Sequence, residues 1–210
     1  MSFLLRVALP DVPGSLGRLA SAIGAAGGNI DAIEIVEHRG DGCAVDDVFL
    51  TLAPSVMPDS IVSACHQLDG VRVQWISRYT AGGNLFLDLE VVESMTQQPD
   101  RALDLLLDAL PAAFRVDWAA QLTRTGDRVD IVRRTPAAPE RVPGDLGWPE
   151  DLGRGLRLPV PEEWGDVLAA GCSLAKDTVV IARRGGPEIL DSEIARLRHL
   201  CALADSIARN

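Results

Sequence analysis

From Phe3 to Leu9 the chain is continuously apolar except at Arg6, and Pro10 stops the run, which is the pattern of a buried strand. Leu16, Leu19, Ala20 and Ile23 then recur at the spacing of one helix face, and Gly27-Gly28 ends that helix. From Ile30 to Glu37 the period returns to two, with Ile33 and Ile35 on one side and Glu34 and Val36 on the other. A polar turn, His38 to Gly42, leads to Val48, Leu50 and Leu52 alternating with Phe49 and Thr51, so these two strands form an antiparallel pair. Pro58-Asp59 opens a second helix with Ile61, Val62, Cys65 and Leu68 inward and Asp69-Gly70 at its end. Val71, Val73 and Trp75 alternate afterwards with Arg72, Gln74 and Ile76. The order through Tyr79 is βαββαβ, which folds as a four-stranded antiparallel sheet with both helices on one face, the ferredoxin-like arrangement. The opposite sheet face is expected to be less covered and the sheet edges open, and pairing with a second copy covers them.

Thr80-Ala81-Gly82-Gly83-Asn84 is rich in turn residues and marks a boundary between residues 1–80 and a second α+β domain over 81–210. A new apolar run begins at Leu85, and Leu103, Leu106, Leu107 and Leu110 make the stripe of a helix from about Pro99 to Phe114. Strands are expected at Val116 to Leu122, Arg128 to Arg134, Leu156 to Val160, Asp166 to Leu174 and Thr178 to Arg183. Thr135 to Gly155 is dense in Pro and Gly and contains Trp148, which describes a surface excursion, either the roof of a pocket or a disordered insertion. Gly185-Gly186-Pro187 turns the chain to Asp191, which is expected to cap a terminal helix reaching about Ala208.

With 210 residues, 47% of them hydrophobic, the chain has enough apolar surface for packed cores. Its formal net charge of −10 repels nucleic-acid backbones. The adjacent basic pairs Arg133-Arg134 and Arg183-Arg184 are explained by exposed strand ends. Cys43, Cys65, Cys172 and Cys201 lie far apart, and His38, His66 and His199 share no ligand spacing with them, so no metal site is expected. With no leader-like segment and no apolar run of membrane-spanning length, a reducing cytoplasm is the expected location, away from membranes.

No catalytic constellation is visible: there is no G-x-S-x-G elbow, no H-E-x-x-H and no phosphate loop with Lys. Asp46-Asp47 and Glu162-Glu163 are carboxylate neighbours, but adjacent strand residues face opposite ways, and solvated faces explain them. The chemistry instead gathers at Asp11-Val12-Pro13-Gly14-Ser15-Leu16. Backbone N–H groups at a helix start have no internal partners and carry the positive end of its dipole, so a small carboxylate settles there. Pro13 fixes this turn and Gly14 lets the backbone approach a ligand closely. The plainer alternative is that Asp11 and Ser15 only cap the helix.

Residues Leu5 to Tyr79 resemble an ACT domain, the regulatory module that binds amino acids in many biosynthetic enzymes. The likeness is carried by Asp11-x-Pro13-Gly14-x-Leu16, Gly28-Asn29-Ile30 and Val48-Phe49-Leu50-Thr51. It implies an effector pocket at a subunit interface, formed by the turn after the first strand and the start of the second. Carried over by position, Asp11 or Asn29 meets polar groups of the effector, and the N–H groups of Gly14, Ser15 and Leu16 take its carboxylate; Pro13, Gly28 and Ile30 belong to the same motifs. The closing segment Thr178-Val179-Val180-Ile181-Ala182-Arg183 through Pro187, with Asp191-Ser192-Glu193 opening a long helix, resembles a GAF domain. Together these resemblances imply a non-catalytic regulatory protein without a cofactor, a homodimer that binds an amino acid or similar small carboxylate and signals to a regulated partner. The alternative is a regulatory subunit whose ACT-like half only dimerises.

Overall fold

The apolar run after Met1 becomes β1 (Ser2–Pro10), one of the two central strands of an antiparallel sheet whose order is β2-β3-β1-β4. Around it the elements follow as α1 (Ser15–Ala25), β2 (Gly28–His38), β3 (Cys43–Leu52), α2 (Pro58–His66) and β4 (Arg72–Arg78). This is a computed structural model, and it describes residues 1–78, 83–126, 128–142, 148, 152–153, 155–174 and 176–209. The chain divides into two compact units, Met1–Gly83 and Asn84–Asn210. Thr80, Ala81 and Gly82, central to the expected boundary, lie outside the described residues, as does Tyr79.

In the first unit, Phe3, Leu5, Val7 and Leu9 of β1 and Val48, Leu50 and Leu52 of β3 face Leu19, Ile23, Ile61 and Cys65 of the two helices. The ferredoxin-like expectation is met: βαββαβ with both helices on one face. The other face departs from expectation, because Leu4, Arg6, Ala8, Val45 and Asp47 are all buried. The alternation read for the last strand also needs correction. Val7 pairs with Val73 and Arg6 with Trp75, so Gln74 is the extra residue of a β-bulge. The bulge moves Trp75 to the Arg6 side, with the Arg6 guanidinium carbon 5.7 Å from its ring centroid, and returns Ile76 to the helix-side core.

The second unit contains α3 (Gly83–Gln97), α4 (Ala102–Phe114), β5 (Trp118–Thr125), β6 (Arg128–Arg134), β7 (Leu156–Leu158), β8 (Val167–Leu174), β9 (Asp177–Arg184) and α5 (Asp191–Ala208), with 3-10 turns at Pro99–Arg101 and Glu162–Trp164. Its antiparallel sheet runs β6-β5-β9-β8-β7, giving an α+β architecture. Ala119, Ala170, Cys172, Leu174, Val179 and Ile181 form the sheet face that packs with Leu106, Leu107, Leu197 and Cys201 of the helices. The other face, carrying Trp118, Ala120, Leu122, Ala169, Val180 and Ala182, is covered by Ala138, Trp148 and Leu152. The segment expected as a surface excursion is therefore, at these positions, part of a core. Alanines on a sheet leave room above them, and Trp148 fills it at 6% exposure.

Two local expectations are also corrected. Asp191 does not cap α5; Leu190 is the cap residue, its N–H donates to Glu193 Oε2 at 2.8 Å, and Asp191 lies one residue inside, bonded to Arg157 at 2.6 Å. Arg183 is not an exposed strand end either, since it is buried with its guanidinium 2.9 Å from Glu193 and also donating to the Phe114 carbonyl.

Candidate functional site

Pro10 ends β1 opposite Cys43, and the chain turns tightly there. Asp11 N–H donates to the Gly42 carbonyl at 2.8 Å, Val12 N–H to Pro10 at 2.9 Å and Ser15 N–H to Val12 at 3.2 Å. Gly14 closes the turn at φ +89°, a left-handed conformation that is costly for residues with a side chain. Ser15 Oγ accepts a hydrogen bond from Arg18 at 3.1 Å, and Asp11 Oδ2 lies 2.9 Å from His38 Nδ1. Neither side chain caps α1. Ser15 N–H is engaged, so the N–H groups of Gly14, Leu16 and Gly17 are those left without partners among the described residues.

Behind the turn lies a cavity of about 320 Å³, walled by residues 9–16 together with Ile35, Ala44 and Asp46. That volume suits a small metabolite. Asp46 pairs with Val7 on one side and Ile35 on the other, in register with the core-facing Val48, Leu50 and Leu52. It is 1% exposed, and its Oδ1 is buried without a hydrogen-bond partner among the described residues. Burial, reinforced by the Asp11 charge and more weakly by Asp47, raises its pKa to about 6, while His38 opposes the rise. Asp47 points the other way and is also buried, held by Arg6 Nε at 2.7 Å and Arg6 Nη2 at 2.9 Å. The Asp46-Asp47 pair does face opposite ways, but neither side is solvated.

Asp11, Pro13, Gly14, Ser15 and Leu16 come together on the cavity wall. Gly28, Asn29 and Ile30 do not join them within one chain. They pair with Leu52, Thr51 and Leu50, at the far end of β3 from Cys43–Asp46. Asn29 donates to Asp31 at 3.0 Å, Ile30 packs against the core, and a Cβ on Gly28 would sit 2.7 Å from Ile23 Cγ2. Ile35, Ala44 and Asp46 are wall residues that the sequence reasoning passed over. The available signal was a carboxylate at a core-facing position of an otherwise apolar alternation, Ala44 to Leu52.

In the second unit the sheet face away from the helices is filled by aromatic rings. Trp118 and Trp164 meet edge-on at 5.3 Å between centroids, and Trp148 and Trp164 at 6.0 Å. Trp148 Nε1 donates to the Pro159 carbonyl at 2.7 Å. Among the described residues no cluster of three or more His, Cys, Asp or Glu side chains is arranged to hold a metal ion, and no helix is long and apolar enough to cross a membrane.

Residues 3–63 match the ACT domain family, a regulatory and ligand-binding module, so the first unit carries that domain. No curated protein sequence matches the chain. Among solved structures the chain is similar to the GAF domain of a phosphoenolpyruvate-protein phosphotransferase from Acinetobacter, at TM-score 0.47 and 14% identity over 62% of this chain and 95% of that one. It is also similar to an unknown protein from Galdieria sulphuraria, at TM-score 0.30 and 16% identity over 44% of this chain and 63% of that one. A third similarity is to a formyltetrahydrofolate deformylase from Pseudomonas putida KT2440, at TM-score 0.31 and 8% identity over 47% of this chain and 39% of that one.

Proposed function

We propose that the chain is a non-catalytic regulatory protein of the cytoplasm that binds an amino acid or similar small carboxylate in the cavity behind the turn at Asp11–Leu16, and passes its occupancy through a homodimer to a regulated partner. The observation that carries this is the cavity of about 320 Å³ at the helix start of an ACT domain, with the Gly14 and Leu16 N–H groups unpartnered on its wall. These donors and the dipole of α1 favour a carboxylate. Asn29, at the far end of the sheet in its own chain, joins the site in this reading from a second copy, along with Gly28 and Ile30.

The test is a thermal-shift panel of the standard amino acids on the purified chain. At least one raises Tm, and Gly14→Trp, which puts a bulky side chain at a positive-φ position of the wall, removes that shift; a panel without any response defeats the proposal. A second reading, in which the first unit only dimerises, is favoured by edge strand β2, where Ile33 and Ile35 are exposed. A stable dimer unaffected by every amino acid is its signature.

A further inference from the structure

We propose, resting on the amino-acid reading above, that Asp46 is the residue that selects the ligand, holding a protonated primary amine at the inner end of the cavity while the turn's N–H groups hold the carboxylate.

Three observations converge on this assignment. Asp46 is almost fully buried and lines the cavity, yet its Oδ1 is left without a hydrogen bond. An acceptor in that state costs free energy until a donor reaches it, and a charged donor gains most. The cavity wall also has a one-sided charge: it carries the carboxylates of Asp11 and Asp46 and no Lys, Arg or His. Asp11 is already engaged with His38, Arg39 pairs with Glu37, and Arg6 is bound to Asp47 on the reverse face of the sheet. A purely anionic ligand would meet two carboxylates, with the nearby cations His38 and Arg18 already engaged by Asp11 and Ser15 Oγ, whereas an ammonium group meets the acceptor that lacks a partner.

The arrangement gives the ligand a direction. The unpartnered N–H groups of Gly14 and Leu16 define a negative end, and Asp46 on β3 defines a positive end. A zwitterion satisfies both, and a dicarboxylate satisfies one and opposes the other. Burial and the Asp11 charge make the ionised form of Asp46 harder to hold than that of an ordinary carboxylate, and an ammonium group beside it opposes that effect.

The experiment uses matched sets on the full chain: leucine, isocaproate and isoamylamine; phenylalanine, hydrocinnamate and phenethylamine; serine, hydroxypropionate and ethanolamine. Binding is read by calorimetry and by Tm, in the wild type and in Asp46→Asn, which keeps the shape of the side chain and removes its charge. In at least one set the amino acid binds, the des-amino acid binds about tenfold or more weakly, and Asp46→Asn erases that difference. A des-amino acid that binds as well as its amino acid in the wild type, or an amino acid whose affinity is unchanged in Asp46→Asn, overturns the assignment and leaves the amino-acid reading standing. An amine that binds through Asp46 where no amino acid does supports the assignment and defeats the amino-acid reading. Where the thermal-shift panel singles out another amino acid, that amino acid, its des-amino acid and its amine form a further set; silence from every set and from the panel defeats both.

Discussion

At the end of the first unit's sheet, beside the start of α1, the protein leaves a space empty and lines it with an unpartnered carboxylate and free N–H groups. Over the free sheet face of the second unit it fills the comparable space with its own indoles, and Trp148 hydrogen-bonds the Pro159 carbonyl. Both units are antiparallel sheets with helices against one face, so architecture alone does not account for the difference. The difference lies in what occupies the space: the indoles fill it in the second unit, although Trp164 Nε1 is buried there without a partner among the described residues, whereas beside α1 a cavity of about 320 Å³ remains.

The largest test of that contrast is to empty the filled side. Trp148→Ala removes a buried indole from an alanine-floored sheet face and lowers stability by about 3–5 kcal/mol in chemical denaturation, without altering any amino-acid response of the first unit. Next, Gly28→Ala brings a methyl to within 2.7 Å of Ile23 Cγ2 and 3.1 Å of Ile61 Cδ1. It costs about 1–3 kcal/mol, which makes Gly28 a packing residue in its own chain whatever it contributes to a dimer site.

Asp46→Asn acts in the other direction. A carboxyl whose folded pKa, about 6, exceeds its unfolded value near 3.8 retains a proton in the folded state that the unfolded chain releases, so this residue's contribution makes the wild type lose stability as pH rises between those values. Denaturation curves of Asp46→Asn at neutral pH should show a gain of about 1–3 kcal/mol, and the variant should lack that part of the pH dependence. The smallest effect belongs to Gly14→Ala, about 1 kcal/mol, because the position is left-handed although the nearest heavy atom is 3.6 Å away, on the flexible end of Arg18. Equilibrium unfolding of the empty protein measures it.

The first unit was legible because its strands and helices alternate at unambiguous periods and end at Pro10, Gly27-Gly28 and Asp69-Gly70. What escaped was local. The bulge at Gln74 shifts the side-chain phase by one residue, and nothing in Val73-Gln74-Trp75-Ile76 announces it. Helix α3 was hidden because Leu87-Asp88-Leu89-Glu90-Val91 alternates with the period of a strand, while the helix buries Val91 and Met95, four apart. The turn at Asp11–Leu16 was found from its residues, but the inner wall was not, since Asp46 reaches the cavity only through the pairing of β3 with β1 and β2. Likewise the Pro/Gly content of residues 135–155 spoke for a loop, and only the apolar second face of the sheet explains why Trp148 and Leu152 are drawn under cover.

The placement of the four tryptophans makes the two units optically separable. Trp75 is the first unit's only indole, whereas Trp118, Trp148 and Trp164 stand in edge-on contact in the second. Chromophores so close and steeply inclined couple as excitons, so circular dichroism near the indole bands carries a signature of the second unit alone. Emission from Trp75, isolated in a variant whose other three indoles are replaced by phenylalanine, follows the first. Heating while recording both signals shows whether the first unit and the second melt together or one after the other.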